Sequence, residues 1–224
     1  MKFAELLEIV GERPLFEPSL LSAGDVDPVD LASQLSRWVS TGRLVRLRRG
    51  LYVVAEPYAS RRPHPFEIAN ALVRPSYVSM EYALGWYGIT PESVFTVTSV
   101  TTGRAGVHDT PYGRFAYRHV RPSYLWGYDL VPVSSGPPAL QVHAFVAGPE
   151  KALLDLLYFR THADDRALLD ELRLEMAGRL DAGKLSDMAR RWGSPRLIRA
   201  ASIVAQIASL QRDDYRDLEE GEQP

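Results

Sequence analysis

Apolar positions recur at helical spacing from the first residues of the chain: Phe3, Leu6, Leu7 and Val10. They predict an amphipathic helix over residues 2–10, stopped by Gly11 and Pro14. Glu17-Pro18-Ser19-Leu20-Leu21 predicts a second, short helix with proline in its first turn, ended by Gly24. Asp27 is placed to cap a third helix, with Pro28 at its first position and Asp30 beside its positive end. That helix runs to about residue 41, with Gly42 as its stop. Its apolar side is Leu31, Leu35, Trp38 and Val39, and its polar side is Ser33, Gln34, Arg37, Ser40 and Thr41. A tight β-hairpin follows at residues 42–54. Two runs rich in Leu, Val and Tyr flank Arg48-Arg49-Gly50, and glycine tolerates the positive φ of such a turn.

Residues 55–65 break the pattern with Pro57, Ser60, Arg61, Arg62, Pro63 and Pro65, and predict a short linker that packs. Helices are expected at 66–72 and 80–87, separated by Pro75, with Ser79 as the cap of the second. Strong alternation over 94–101 and alternation over 114–120 predict strands, with a Gly-, Asp- and Pro-rich loop at 103–113 between them. Further strands are expected at 130–133 and 141–147 around a turn at 134–138. The run 151–158, opened by Gly148-Pro149-Glu150, is apolar on most sides and predicts a buried helix. Helices at 166–176, 182–192 and 195–210 close the pattern, the last with Leu197, Ile198, Ala201, Val204, Ala205 and Ala208 facing inward. The expected class is α+β. Residues 1–62, three helices and a hairpin, have the plan of a winged helix-turn-helix. Residues 63–212 form a mixed α/β domain ending in a helical segment, and 213–224 a frayed or disordered acidic tail.

Charge sharpens this picture. The 224 residues carry a formal charge of -2, but its distribution is uneven. Arg37, Arg43, Arg46, Arg48, Arg49, Arg61 and Arg62 face only Glu56 between positions 37 and 62, whereas the tail is acidic. Cysteine is absent, which excludes disulfides and thiolate metal sites. No apolar run approaches the roughly 18 residues of a membrane span, and the N-terminus lacks a signal-peptide core. A cytoplasmic location is the expectation.

The arginine-tipped hairpin after a capped helix points to double-stranded DNA. Guanidiniums at a hairpin tip neutralise phosphates, while a helix in the major groove reads base edges. The candidate DNA-binding residues are Ser33, Gln34, Arg37 and Ser40 on the helix, and Arg43, Arg46, Arg48 and Arg49 on the hairpin. For Ser33 and Ser40, a plain solvated helix face accounts for the residues equally well. A second basic group, Arg104, Arg114, Arg118 and Arg121 with His119, suits an acidic partner, an extended DNA footprint, or scattered surface charge. The interleaved Tyr112, Tyr117, Tyr124, Trp126 and Tyr128 are expected to pack rather than to stack on bases. Glu150, Lys151 and Asp155 lie in a helix and are expected to be structural. The five histidines have no ligand-type spacing, so no metal site is expected. No phosphate-binding glycine loop, Gly-x-Ser-x-Gly or His-Glu-x-x-His motif is present. A binding protein without cofactor or enzymatic activity is the expectation.

Four stretches carry a family resemblance. They are Arg49-Gly50-Leu51-Tyr52-Val53; Pro75-Ser76-Tyr77-Val78-Ser79-Met80-Glu81-Tyr82-Ala83-Leu84 with Tyr87-Gly88; Val97 to Thr102 with Gly113 to His119; and Pro149-Glu150-Lys151-Ala152-Leu153-Leu154-Asp155-Leu156-Leu157-Tyr158. In this order and combination the chain resembles the AbiEi-type antitoxins of type IV toxin–antitoxin systems, also described as abortive-infection transcriptional regulators. The resemblance implies a winged-helix DNA-binding domain joined to an antitoxin domain. It further implies repression of the protein's own operon, with inverted-repeat half-sites for two copies, and antagonism of a cognate nucleotidyltransferase-like toxin. One rival is a stand-alone winged-helix regulator whose second domain senses a ligand or partner. Another is a nuclease built on a winged-helix adaptor.

Overall fold

The structure is a computed structural model and describes residues 1–21, 27–91, 94–134, 141–175 and 179–221. The expected stop at Gly24, most of the turn at 134–138 and the end of a helix at Met176 lie outside the described residues. The fold is mixed α+β, with eight α-helices and two sheets among the described residues.

The N-terminal third begins with α1 (Phe3–Val10), β1 (Leu15–Phe16) and a 3₁₀ turn (Pro18–Leu21). It continues with α2 (Pro28–Ser40), β2 (Leu44–Arg48) and β3 (Leu51–Val54). Asp27 caps α2 by accepting the Val29 amide at 2.7 Å. The apolar stripe of α2, Leu31, Leu35 and Trp38, is buried together with Leu6, Val10, Phe16, Leu21, Leu44 and Val54 in one small core. The strands pair antiparallel in the order β1-β3-β2. Arg49 and Gly50 make the turn between β2 and β3, with Gly50 at φ +75°. β1 is too short to have a periodic signature, and its pairing with β3 forms only in the folded chain.

A second, larger core takes in Leu51 of the hairpin and is otherwise built from residues after 64. It contains α3 (Pro65–Leu72), β4 (Ser76–Val78), α4 (Met80–Trp86), β5 (Thr96–Thr101), β6 (Gly106–Thr110), β7 (Gly113–His119), β8 (Tyr128–Pro132) and β9 (His143–Ala147). The helices α5 (Pro149–Phe159), α6 (Arg166–Glu171), α7 (Ala182–Trp192) and α8 (Pro195–Gly221) follow. Six strands form one sheet in the order β6-β7-β5-β4-β9-β8, parallel at β7/β5 and β4/β9 and antiparallel elsewhere. The short central strand β4 is buried on both sides. From one face Tyr117 reaches α3, its hydroxyl donating to the Ala69 carbonyl at 2.7 Å. From the other, Tyr77 reaches α5. No described helix is long and apolar enough to cross a membrane.

Two expectations are corrected. The 103–113 loop contains β6, an exposed edge strand whose register is set by antiparallel pairing with β7, from Gly106↔Tyr117 to Thr110↔Gly113. β4 lies in a stretch expected to be only a break between helices, because three residues carry no alternation that sequence could display. The last helix, α8, extends to Gly221. Residues 211–220 include neither proline nor glycine, so nothing in them breaks a helix already started by the packed residues before them.

Candidate nucleic-acid interface

The polar side of α2 is the first place to look for a surface that meets nucleic acid. Val29, Ala32, Ser33, Ser36, Arg37 and Ser40 line a shallow hollow on it. Val29, 73% exposed, stands at its N-terminal end. The residues the sequence reading missed here, Val29, Ala32 and Ser36, share the helical spacing of Ser33, Arg37 and Ser40; their small or apolar side chains gave no chemical signal. Gln34 departs from this face. It lies three residues after Leu31 and four before Trp38, so it borders the apolar stripe. Its Oε1 is buried without a hydrogen-bond partner among the described residues. Ser40 donates its hydroxyl to the Arg37 carbonyl at 2.8 Å, as Thr41 does at 3.0 Å, which leaves their lone pairs free to accept.

The hairpin arginines divide into two kinds. Arg43, Arg46 and Arg49 are exposed, and none has a carboxylate partner among the described residues. The Arg43 guanidinium lies 5.2 Å from the Phe3 ring centre. Arg46 stands opposite Tyr52 in the hairpin, next to a register shift before Arg48. Arg48 is turned the other way. Its Nε donates to the Leu72 carbonyl at 2.9 Å and its Nη2 to that of Ala71 at 3.1 Å. Those are unsatisfied carbonyls at the C-terminus of α3, where the helix dipole favours a cation. Arg48 also lies 3.5 Å from Glu17, and Arg74 shares the same carboxylate oxygen at 3.4 Å. Leu51, across the strand pair from Arg48, belongs to the second core. The hairpin tip is therefore fastened to the larger half of the molecule.

The second basic group is not brought together as one patch. Arg104 and Arg121 follow the parallel strands β5 and β7 at the same sheet end, near Arg118 and His119. Arg114 is near the start of β7, about 13 Å from Arg118 at 3.3 Å per residue. Arg114 lies 3.8 Å from Asp109, and Arg118 sits 6.0 Å from the Phe159 ring centre. Arg118, Ala116, Thr96 and Thr98 contribute to a groove of about 620 Å³, together with Glu81, Phe95, Phe159 and Arg160. Phe95 is 90% exposed there. The interleaved aromatics mostly pack internally: Tyr124 stacks on Trp192 at 4.4 Å and Tyr128 on Tyr77 at 4.6 Å.

The most unusual chemistry is buried, and two of the stretches that carry the resemblance build it. Lys151 and Asp155, both 0% exposed, form an ion pair one turn apart on α5. Lys151 Nζ lies 2.6 Å from Tyr77 Oη, which donates to Asp155 Oδ2 at 3.0 Å. The Ser79 hydroxyl donates to the same oxygen at 2.7 Å. The rings of Tyr77, Trp126 and Trp192 surround the ammonium at 4.8–5.2 Å. Burial pushes Lys151 below its ordinary pKa and Asp155 above its own, each opposed by the attraction of the other. Burial likewise pushes the Tyr77 phenol well up, and the adjacent carboxylate adds to the shift. Gly127, at φ +74°, approaches so closely that a Cβ there would lie 3.0 Å from Lys151 Cγ. Glu150, next to Lys151, is also buried. It accepts the Asp181 amide at 3.0 Å, and its other oxygen lies 2.8 Å from Lys184 Nζ. With no exposed atom in the Lys151–Asp155 pair, this cluster holds elements together and offers no surface to a substrate. The i, i+4 spacing of Lys151 and Asp155 was the available sequence signal; Tyr77 and Ser79 join them only through the β4–α5 packing.

No protein-family model matches the chain, and no curated protein matches it. Among solved structures, the chain is similar to the RV2827C protein from Mycobacterium tuberculosis, with a TM-score of 0.53 and 15% sequence identity over 90% of this chain and 75% of that one. At that identity the likeness is one of overall fold.

Proposed function

We propose that the protein is a DNA-binding antitoxin and autorepressor of the AbiEi type, without enzymatic activity. In this reading α1, the 3₁₀ turn, α2 and the β2–β3 hairpin act as a winged helix-turn-helix. The exposed side of α2 enters the major groove of operator DNA, and Arg37 with Ser33 and Ser40 meets base edges or phosphates. Arg43, Arg46 and Arg49 hold phosphates, while Arg48 fixes the hairpin's direction. One observation carries the proposal: the hairpin that follows α2 bears three exposed arginines without carboxylate partners among the described residues, and the hollow on α2 has no acidic lining residue. Such a surface displaces the counterions condensed on a polyanion, and their release favours binding.

The antitoxin half rests on the resemblance stated from sequence. The basic residues on β7 and beyond β5, Arg104, Arg114, Arg118 and Arg121, suit an acidic surface on a nucleotidyltransferase-like toxin. Two experiments test the proposal together. Fluorescence anisotropy with DNA from upstream of the gene is expected to show binding that weakens linearly in log[salt]. Binding no tighter than to scrambled DNA would remove operator recognition. Co-expression with a neighbouring nucleotidyltransferase-like gene is expected to restore growth, and continued toxicity would remove the antitoxin role.

A further inference from the structure

A cleft of about 900 Å³ opens between the two cores. One wall is the 13–20 segment with Leu51 of the hairpin; the other is α3, residues 74–76 and strands β8 and β9. Its volume falls within the range of small-molecule sites. The lining mixes exposed apolar groups with cations. Leu20, Leu130 and Phe145 are 38%, 56% and 43% exposed, and a solvated apolar surface in a concave place favours an apolar occupant.

The charges in the cleft are unbalanced in one direction. Glu67 is held by Arg61 through two hydrogen bonds of 2.9 and 3.0 Å. Glu17 faces two arginines, Arg48 and Arg74. Arg13 is exposed and lacks a carboxylate partner among the described residues. Both carboxylates are thus already matched, and positive charge is left over at Arg13 and Arg74. A carboxylate, sulfonate or phosphate on an apolar body fits that combination, since arginine binds such groups with paired hydrogen bonds.

The cleft also touches the contact that fastens the hairpin. Its walls include Glu17, Ala71 and Leu51. These are Arg48's carboxylate neighbour, one of its carbonyl acceptors and its partner across the strand pair. An anion on Arg74 competes with Glu17 for that cation, so the ion pairing around Arg48 rearranges when the cleft fills. We propose that this cleft is a site for an amphipathic small-molecule anion, and that its occupancy alters how the β2–β3 hairpin is held. The inference stands apart from the DNA and toxin reading.

Titrating the full chain with 8-anilinonaphthalene-1-sulfonate, an arylsulfonate whose fluorescence rises in apolar surroundings, tests it. One saturable site per chain is expected. Arg13→Ala with Arg74→Ala, both on the surface, is expected to weaken it about tenfold. Leu130→Asp is expected to weaken it through the apolar wall. Arg118→Ala, in the separate groove beside Phe95, is expected to leave it unchanged. Non-saturating binding, equal affinity in the double variant, or an equal loss in Arg118→Ala would overturn the site. Displacement of the probe by dodecanoate points to a lipid-like carboxylate, displacement by adenosine 5′-monophosphate to a nucleotide, and displacement by neither overturns the proposal. Amide exchange at residues 47–51 is expected to change on saturation. Unaltered exchange there would overturn the coupling. None of these readouts involves DNA, so the site and the proposed function fail independently.

Discussion

The two cores use cationic side chains in opposite ways. In the N-terminal third, Arg43, Arg46 and Arg49 are exposed and lack carboxylate partners among the described residues. Their worth to folding is close to nil, and their field is available to a polyanion. In the larger half, Lys151 is fully buried, paired to Asp155 and enclosed by three aromatic rings. Its charge is invisible from outside, yet leaving either partner alone in that interior is costly. Arg48 belongs to neither kind. It leaves the hairpin to hold the end of α3, and so it joins the two regions. The difference teaches that a run of arginines is not a functional unit. Solvation and partners sort its members, and Arg48 and Arg49, adjacent in sequence, fall on opposite sides of that division.

The largest effect is expected at the buried pair. Lys151→Ala or Asp155→Ala should lower stability by about 3–5 kcal/mol, because each leaves an uncompensated buried charge. Lys151→Met combined with Asp155→Leu should recover most of that loss. Urea unfolding measures both. A single variant costing less than about 1 kcal/mol would mean that water reaches the cluster, and the comparison would collapse.

Arg48→Ala should cost about 1–2 kcal/mol through the lost bonds to the Ala71 and Leu72 carbonyls, and should raise amide exchange at the tip of the hairpin. If stability and exchange both stayed at wild-type levels, Arg48 would belong with its exposed neighbours.

A smaller, pH-dependent effect is expected at His64, whose Nδ1 accepts the Phe66 amide at 3.2 Å at the start of α3. Burial lowers its pKa, outweighing the opposing pull of Glu67, and Arg61 adds to the lowering. The folded state therefore favours the neutral ring. This contribution is complete above the unfolded-state value of 6.5 and is lost as pH falls through the lower folded value. His64→Asn, which keeps a cap that does not titrate, should flatten the dependence of stability on pH below 6.5. An unchanged acid limb would show that His64 does not set it.

The smallest effect on folding is expected where the proposed effect on DNA is greatest. Arg43→Ala, Arg46→Ala and Arg49→Ala together should shift stability by no more than about 0.5 kcal/mol. They should flatten the salt slope of operator binding by up to about 2.7, from three phosphate contacts at roughly 0.9 each. A stable variant with the wild-type slope would take the hairpin out of the DNA footprint while leaving its attachment through Arg48 intact.

Much of the fold was legible because its signals are local. Capping by Asp27, the stripe Leu31–Leu35–Trp38, the glycine of the hairpin turn, the alternation in β5 and β7, and the apolar run of α5 each state a preference that neighbouring residues reinforce. The α+β class follows from them. The candidate surface was legible in part: the arginines announced themselves, whereas Val29, Ala32 and Ser36, which complete the face of α2, carry no charge to notice. Other features depend on contacts distant in sequence. β1 and β4 are too short for periodicity, and β6 takes its register from β7. Tyr77 and Lys151 meet because β4 lies beneath α5, 74 positions apart in the chain. The same physics separates Arg48 from Arg49. Intrinsic preference is identical for the two side chains, and only the packed carbonyls of Ala71 and Leu72 decide which one is drawn inward. Sequence by itself set the longer elements and the distribution of charge along them; long-range pairing added the short strands, and burial and long-range hydrogen bonding decided which charges remained at the surface.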